Sequence, residues 1–486
     1  HAHLAALRVE DTPAWLNPSF GPAVDLRIVY NQADWSQPQT PKYTNFGGRW
    51  TFNFGSALTG TREMIAYAYN GGGTRRFPRA VTALFSIDAR SGDRLEDVPG
   101  YPDDQILRHR DGSSDRFRLL EPGFVTRWYL VERRDPQGNA ATLEYDSNRR
   151  LTVIRAASGE TLTFYYRTEA YGAEYYLVDH VELSDGRTAN FSYTTRDPNG
   201  RLILSGIADM GGIESTFNYT ETARGYADGG TVPFPDHDFL SSLKTPYGST
   251  GFRTGWAAQL SGGPGMGRYL QRWLEVDLPT GEHERVEFRQ VADANQQADC
   301  YGLAPCTFRD ESEVVPPAVN GALNDNADAG DAGPAYAPDN AVFLNFRNSY
   351  HWNPVGYARG RTEGSTGPVF DPRHAHVYHW SHQPASFSLT APLLESEVPP
   401  GESRVTYVHD GQISRQMLPT LDAARPWFRR TVSARLTVDG DASTEQFTRI
   451  AYSADGNPRE VRDVAGRVRC IAAWHSPCPP ALPNRL

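Results

Sequence analysis

Asp135-Pro136-Gln137-Gly138-Asn139-Ala140-Ala141-Thr142-Leu143-Glu144-Tyr145 is the stretch that decides the fold of this chain. A turn cluster leads into a short segment that alternates toward an aromatic residue, and six residues separate Gly138 from Tyr145. The same phrase returns as Gly159 to Tyr166, Gly186 to Tyr193 and Gly212 to Tyr219, and these tyrosines lie 21, 27 and 26 residues apart. Each glycine sits in a turn cluster, as in Ser184-Asp185-Gly186 and Asp209-Met210-Gly211-Gly212. A turn followed by a short strand at such a period marks a repeat architecture, in which each unit buries its apolar face against its neighbours.

Composition agrees. Of 486 residues only 39% are hydrophobic while 12% are aromatic, so the core is expected to be built from Tyr, Phe and Trp rather than from aliphatic helix faces. The 44 glycines and 35 prolines suit many short strands joined by turns. The best helical pattern, Leu418 to Ala424, is short. A net charge of −10 argues against a nucleic-acid binder, which would show a basic face, and the cationic charge is almost all Arg, with Lys42 and Lys244 the lysines. There is no apolar run of membrane-span length. The opening His1-Ala2-His3-Leu4 carries no signal-peptide pattern, which leads us to expect a processed mature chain or a fragment of one.

Five segments follow from the pattern. Residues 1–95 read as a β-rich N-terminal lead, with strand-like Val24 to Tyr30 and Trp50 to Phe54. Residues 96–296 carry the repeats; Thr245 to Phe252 and Asp277 to Phe288 keep the turn and lose the Tyr. Residues 297–340 form a polar insertion with little to bury. Its carboxylates suggest calcium, but a calcium loop counted from Asn324 would place Ala329 and Ala335 where Gly and Glu are needed. Residues 341–468 return to repeat-like strands. The fullest unit there is Tyr452-Ser453-Ala454-Asp455-Gly456-Asn457, a strand through Val461, and a second turn ending at Gly466. Residues 469–486 are an irregular tail, because the prolines of Cys478-Pro479-Pro480 remove ladder donors.

These phrases, together with Asn345 to Asn353 and His376 to Trp380, resemble the tyrosine-aspartate (YD) repeats of bacterial RHS proteins. The resemblance covers residues 100 to 468. It implies an all-β fold, a YD-repeat ribbon spiralling like a β-solenoid into a shell or partial shell, of which this chain is the N-terminal part. Related shells occur in bacterial polymorphic toxins, in the C components of insecticidal toxin complexes and in teneurins. The implied function is a non-enzymatic, exported scaffold, secreted or at the cell surface. Its partners would be an encapsulated toxin domain, or a cell-surface protein or glycan. The self-cleavage motif of toxin-bearing members, Pro-x4-Asp-Pro-x-Gly-Leu, has no match here, since Asp371-Pro372-Arg373-His374 lacks the Gly and the Leu.

Candidates for chemistry are few. His374, His376, His379 and His382 form a cluster whose spacing fits neither one strand face nor one helix face, so we expect histidines flanking Tyr378 and Trp380 rather than metal ligands. No cofactor is implied, and no Gly-x-Ser-x-Gly elbow is present. Cys300/Cys306 and Cys470/Cys478 are close pairs that suit two disulfides in an exported protein, with free thiols as the alternative; their spacings are not zinc knuckles. The residues that define the expected architecture are Gly138, Tyr145, Gly159, Tyr166, Gly186, Tyr193, Gly212, Tyr219, Tyr452, Asp455, Gly456 and Gly466. The competing readings are a secreted metal- or carboxylate-dependent hydrolase on a β scaffold and a stand-alone glycan-binding adhesin.

Overall fold

The computed structural model describes residues 5–32, 46–61, 64–68, 74–78, 85–88, 91–123, 126–167, 176–195, 202–226, 233–256, 259–261, 267–269, 271–291, 346–364, 367–383, 386–409, 412, 430–436, 445–452 and 458–470. The expected polar insertion at 297–340, the helical pattern at 418–424, and Cys300, Cys306, Asp455, Gly456 and Cys478 lie outside them. The fold is all-β: 66% strand and 4% helix, in large antiparallel sheets. No closed solenoid is seen among the described residues. The chain divides into two compact units, residues 6–254 with 276–282, and residues 255–275 with 283–486.

In the first unit the lead opens with a small antiparallel sheet of β1 (Arg8–Leu16), β2 (Val24–Asn31) and β3 (Trp50–Phe52). A long antiparallel ribbon follows. It begins with β4 (Ala57–Thr61), β5 (Met64–Ala68), β6 (Thr74–Pro78), β7 (Phe85–Ile87), β8 (Arg94–Val98), β9 (Tyr101–Arg108) and β10 (Ser114–Glu121). The repeat phrases form β11 (Thr126–Arg134), β12 (Ala140–Tyr145), β13 (Leu151–Arg155), β14 (Thr161–Tyr166), β15 (Val178–Leu183), β16 (Thr188–Thr195), β17 (Leu202–Ala208) and β18 (Glu214–Tyr226). Then come β19 (Pro233–Thr245) and β20 (Gly248–Trp256). From β11 to β20 each strand pairs with the next. One edge of β11 is shared: its second half pairs with β12 and its first half with β4, which brings the start of the ribbon back onto it.

Alternation decides which face of the ribbon is buried. Leu143, Ile154, Leu162, Phe164, Val181 and Phe191 all point one way and are buried. The lead sheet covers that face: Phe46 meets Phe191 edge-on at 4.9 Å, Trp50 meets Phe217 at 4.8 Å and Phe52 meets Phe164 at 6.1 Å, centroid to centroid. Each such ring removed from water contributes about 1.5–3 kcal/mol. The first part of the lead is therefore a second layer packed on the repeats it covers.

In the second unit the strands His283–Val291, Phe346–Trp352, His376–Gln383, Ser386–Val398, Val405–His409, Arg430–Leu436, Glu445–Tyr452, Pro458–Arg462 and Val468–Cys470 pair in succession, all antiparallel. Between the second and third of these the chain makes a compact excursion. Asn353 caps the short helix α1 (Pro354–Gly360) by accepting from the Gly356 N–H, with Pro354 in the first turn. Tyr350, Trp352, Tyr357, Phe370 and Ala375 form its core. Gly356 allows the closest approach, since a Cβ there would stand 2.3 Å from the His374 carbonyl oxygen.

Candidate functional site

The repeat-defining residues assemble into one device. Gly138, Gly159, Gly186 and Gly212 all have φ between 80° and 103°, in the left-handed region. Each closes a hairpin with its N–H bonded to the carbonyl three residues back, and the residue there donates in turn to the carbonyl after the glycine. A Cβ at any of the four would meet nothing within 4 Å, so the glycine is required by backbone conformation and not by space. Where Asp begins the turn, its carboxylate takes backbone N–H groups: Asp135 accepts from Asn139, and Asp209 from Gly211 and Ile213.

Each tyrosine sits at a bulge in its strand and turns its hydroxyl onto a backbone carbonyl fifteen residues earlier. Tyr145 donates to Leu130 at 2.7 Å, Tyr166 to Leu151 at 2.8 Å, Tyr193 to Val178 at 2.7 Å and Tyr219 to Leu204 at 2.5 Å. Register links the bonds. Tyr145 pairs with Leu151, whose carbonyl receives Tyr166; Tyr166 pairs with Val178, whose carbonyl receives Tyr193; Tyr193 pairs with Leu204, whose carbonyl receives Tyr219. Burial pushes the Tyr145 and Tyr193 hydroxyls well above their ordinary range, so they remain protonated donors at any physiological pH. In the second unit Tyr452 also ends its strand at a bulge and donates to the Arg430 carbonyl at 2.7 Å, and Gly466 has φ 74° in the same kind of turn.

The described histidine side chains of the cluster, His374, His376 and His379, lie in different settings. His374 sits in a short 3-10 turn. His376 and His379 lie three apart on one strand, hence on opposite faces. His376 stacks on Tyr378 at 4.3 Å and meets a Glu397 carboxylate oxygen at 3.0 Å. Glu397 also accepts from the Tyr407 hydroxyl. His379 is fully buried, with Nδ1 3.1 Å from Asn348 Oδ1 and Nε2 3.6 Å from Glu395. His382 pairs through its backbone with Thr390. Among the described residues no three His, Cys, Asp or Glu groups converge in a way that would hold a metal ion. Cys470 is disulfide-bonded, and the other three cysteines lie outside the described residues.

Two ionic networks were not legible beforehand. In the first unit His109 lies between Asp93 at 3.3 Å and Asp115 at 3.5 Å. Asp115 also takes Arg133 at 2.9 Å, and Asp93 takes Arg75. Burial works against charge on His109, but the two carboxylates outweigh it and raise its pKa to about 9. Asp115 goes the other way: burial opposes its ionisation, Arg133 and His109 override it, and its pKa falls to about 2. In the second unit Arg285 lies between the rings of Trp273 and Phe370, 4.6 Å from each centroid. Glu275 at 2.8 Å and Glu287 at 2.9 Å bind its guanidinium, and Arg289 completes Glu287. These residues are far apart in sequence or carry no shared motif, so only the pairing of strands could reveal them. In both networks every charge faces an opposite charge of the same fold, the arrangement of a structural tie rather than of a group held ready for substrate.

No protein-family model matches the chain, and no curated protein matches it. Among solved structures, the crystal structure of TcdB2-TccC3 is similar over 98% of this chain and 30% of that one, at 10% identity and a TM-score of 0.30. The crystal structure of TcdB2-TccC3-TEV is similar over 92% of this chain and 22% of that one, at 10% identity and a TM-score of 0.25. The chain thus spans less than a third of the length of either.

Proposed function

We propose that this chain is a non-enzymatic scaffold of the RHS/YD-repeat kind, exported from a bacterial cell, and that it forms part of a shell wall. The observation that carries this reading is the ladder: four successive tyrosines make the same hydroxyl-to-carbonyl bond at the same bulge, each rung built on the register of the one before. Such a device stiffens a sheet and has no reacting group. Its partner would be an encapsulated toxin domain, or a protein or glycan at a cell surface. No helix among the described residues is long and apolar enough to cross a membrane.

One observation favours a second reading. The Tyr407–Glu397–His376 line, with the His376 side chain about a quarter exposed, is the kind of carboxylate-oriented imidazole a hydrolase uses. The two readings part in one experiment. The native product is isolated from producing cells and medium, its mass compared with the 54.0 kDa of this chain, and its protease resistance followed before and after denaturation. A larger product that shields a protease-sensitive segment until the shell is unfolded supports the scaffold. Hydrolytic turnover lost in His376→Ala overturns it.

A further inference from the structure

The ladder's own rule says where its fifth rung belongs. Each tyrosine pairs through its backbone with the residue whose carbonyl takes the next hydroxyl, and Tyr219 pairs with Leu240. Each tyrosine also lies four residues past the point where its strand meets the preceding one: Tyr193 past Ala189, which faces Val181, and Tyr219 past Ser215, which faces Ile207. On β20 the equivalent point is Thr250, which faces Leu243, so the rung position is Thr254. Threonine has no ring to carry a hydroxyl across to Leu240.

The lead fills this place. The fully buried Tyr30 puts its hydroxyl 3.1 Å from the Leu240 N–H, which donates to it, so the hydroxyl accepts here where in the four rungs it donates to a carbonyl. Its ring centroid lies 6.5 Å from that of Tyr219 and 5.6 Å from that of Trp50. Gln32, two residues on and so on the same face of the strand, donates from Nε2 to Thr254 Oγ1 at 3.4 Å and accepts the Leu7 N–H at 2.8 Å. Trp50 Nε1 donates to the Tyr219 hydroxyl at 2.8 Å, which ties the fourth rung to the same sheet.

We propose that the end of the ladder, between Leu240 and Thr254, is a binding site for an extended segment of the form Tyr-x-Gln, and that Tyr30-Asn31-Gln32 occupies it in place of a fifth rung. The lead is then a ligand of the ribbon as well as a cover for it. The Leu240 N–H and the Thr254 hydroxyl read the tyrosine and the glutamine, and the Tyr219 ring forms one wall. The site fixes where the lead docks along a ribbon whose successive repeats otherwise look alike, so it sets register.

The test is two substitutions in the full chain, followed by native-state amide exchange. Tyr30→Ala empties the place and should speed exchange at Leu240 and along Val24–Asn31 about tenfold or more. Tyr30→Phe keeps the ring and removes only the hydroxyl that accepts the Leu240 N–H, so it tests the same claim without risking the fold: Leu240 should exchange about fivefold faster with Leu143 unaffected, and an unchanged Leu240 overturns the assignment.

Discussion

Tyr193→Phe is the sharpest test of the ladder. It keeps the ring, which is half-buried, and removes the one hydroxyl that donates to the Val178 carbonyl at 2.7 Å. Because that hydroxyl end is buried deeply enough to push its pKa far up, water does not replace it freely. The lost bond and the carbonyl left behind together cost about 1–2 kcal/mol, which is about five- to thirtyfold in the local folding equilibrium. Tyr165→Phe is the internal control. Tyr165 is exposed and donates to Glu182 at 3.0 Å on the outer face, where such a bond is worth a few tenths of a kcal/mol. Native-state amide exchange across β15 to β17 is the assay: Tyr193→Phe should speed exchange there five- to thirtyfold and Tyr165→Phe less than twofold. Tyr166→Phe combined with Tyr193→Phe should be non-additive, since Tyr166 pairs with the residue that accepts Tyr193. Equal effects from Tyr193→Phe and Tyr165→Phe would refute the ladder as an energetic device.

Other outcomes follow from the same geometry. Gly186→Ala should destabilise the first unit by about 1–2 kcal/mol through its φ of 87° alone, and Gly186→Asn by less, as read from the shift in urea midpoint. His109 has a folded pKa of about 9, above the ordinary 6.5, so its contribution is complete below pH 6.5 and is lost as pH rises through 9; a thermal melt series should show this alkaline loss vanish in His109→Gln. His409 behaves oppositely. Burial first, then Arg430, lowers it to about 4, so its contribution is present above pH 6.5 and lost as pH falls through 4, and His409→Gln should remove that acid step. Arg285→Met should cost about 3–5 kcal/mol, because Glu275 and Glu287 stay buried without their cation. Replacing Glu275 and Glu287 by Gln in the same chain should recover much of that loss in a denaturant titration.

The phrases at 138 to 219 announced both halves of the repeat, the turn glycine and the strand that alternates toward a tyrosine, because both are local: a turn and a two-residue alternation are written in adjacent residues. The loss of tyrosine after residue 219 was visible too. That His376 would flank Tyr378 was also readable, since neighbours on one strand face are two apart in sequence. The acceptor of each hydroxyl was not, for it lies across a hairpin whose register depends on a bulge. His109 with Asp93 and Asp115, Arg285 between Trp273 and Phe370, and Glu397 under His376 were equally silent, since each joins residues from separate strands or turns.

The sequence by itself determined an all-β repeat with its turns and its aromatic face, because strand, turn and alternation are properties of short stretches. Only the tertiary structure decided that the lead is the second layer over that face and that the Tyr30 hydroxyl accepts the Leu240 N–H. The physical reason is distance along the chain: a contact between residues 210 apart is specified by shape, burial and register together, and no single stretch of sequence holds all three.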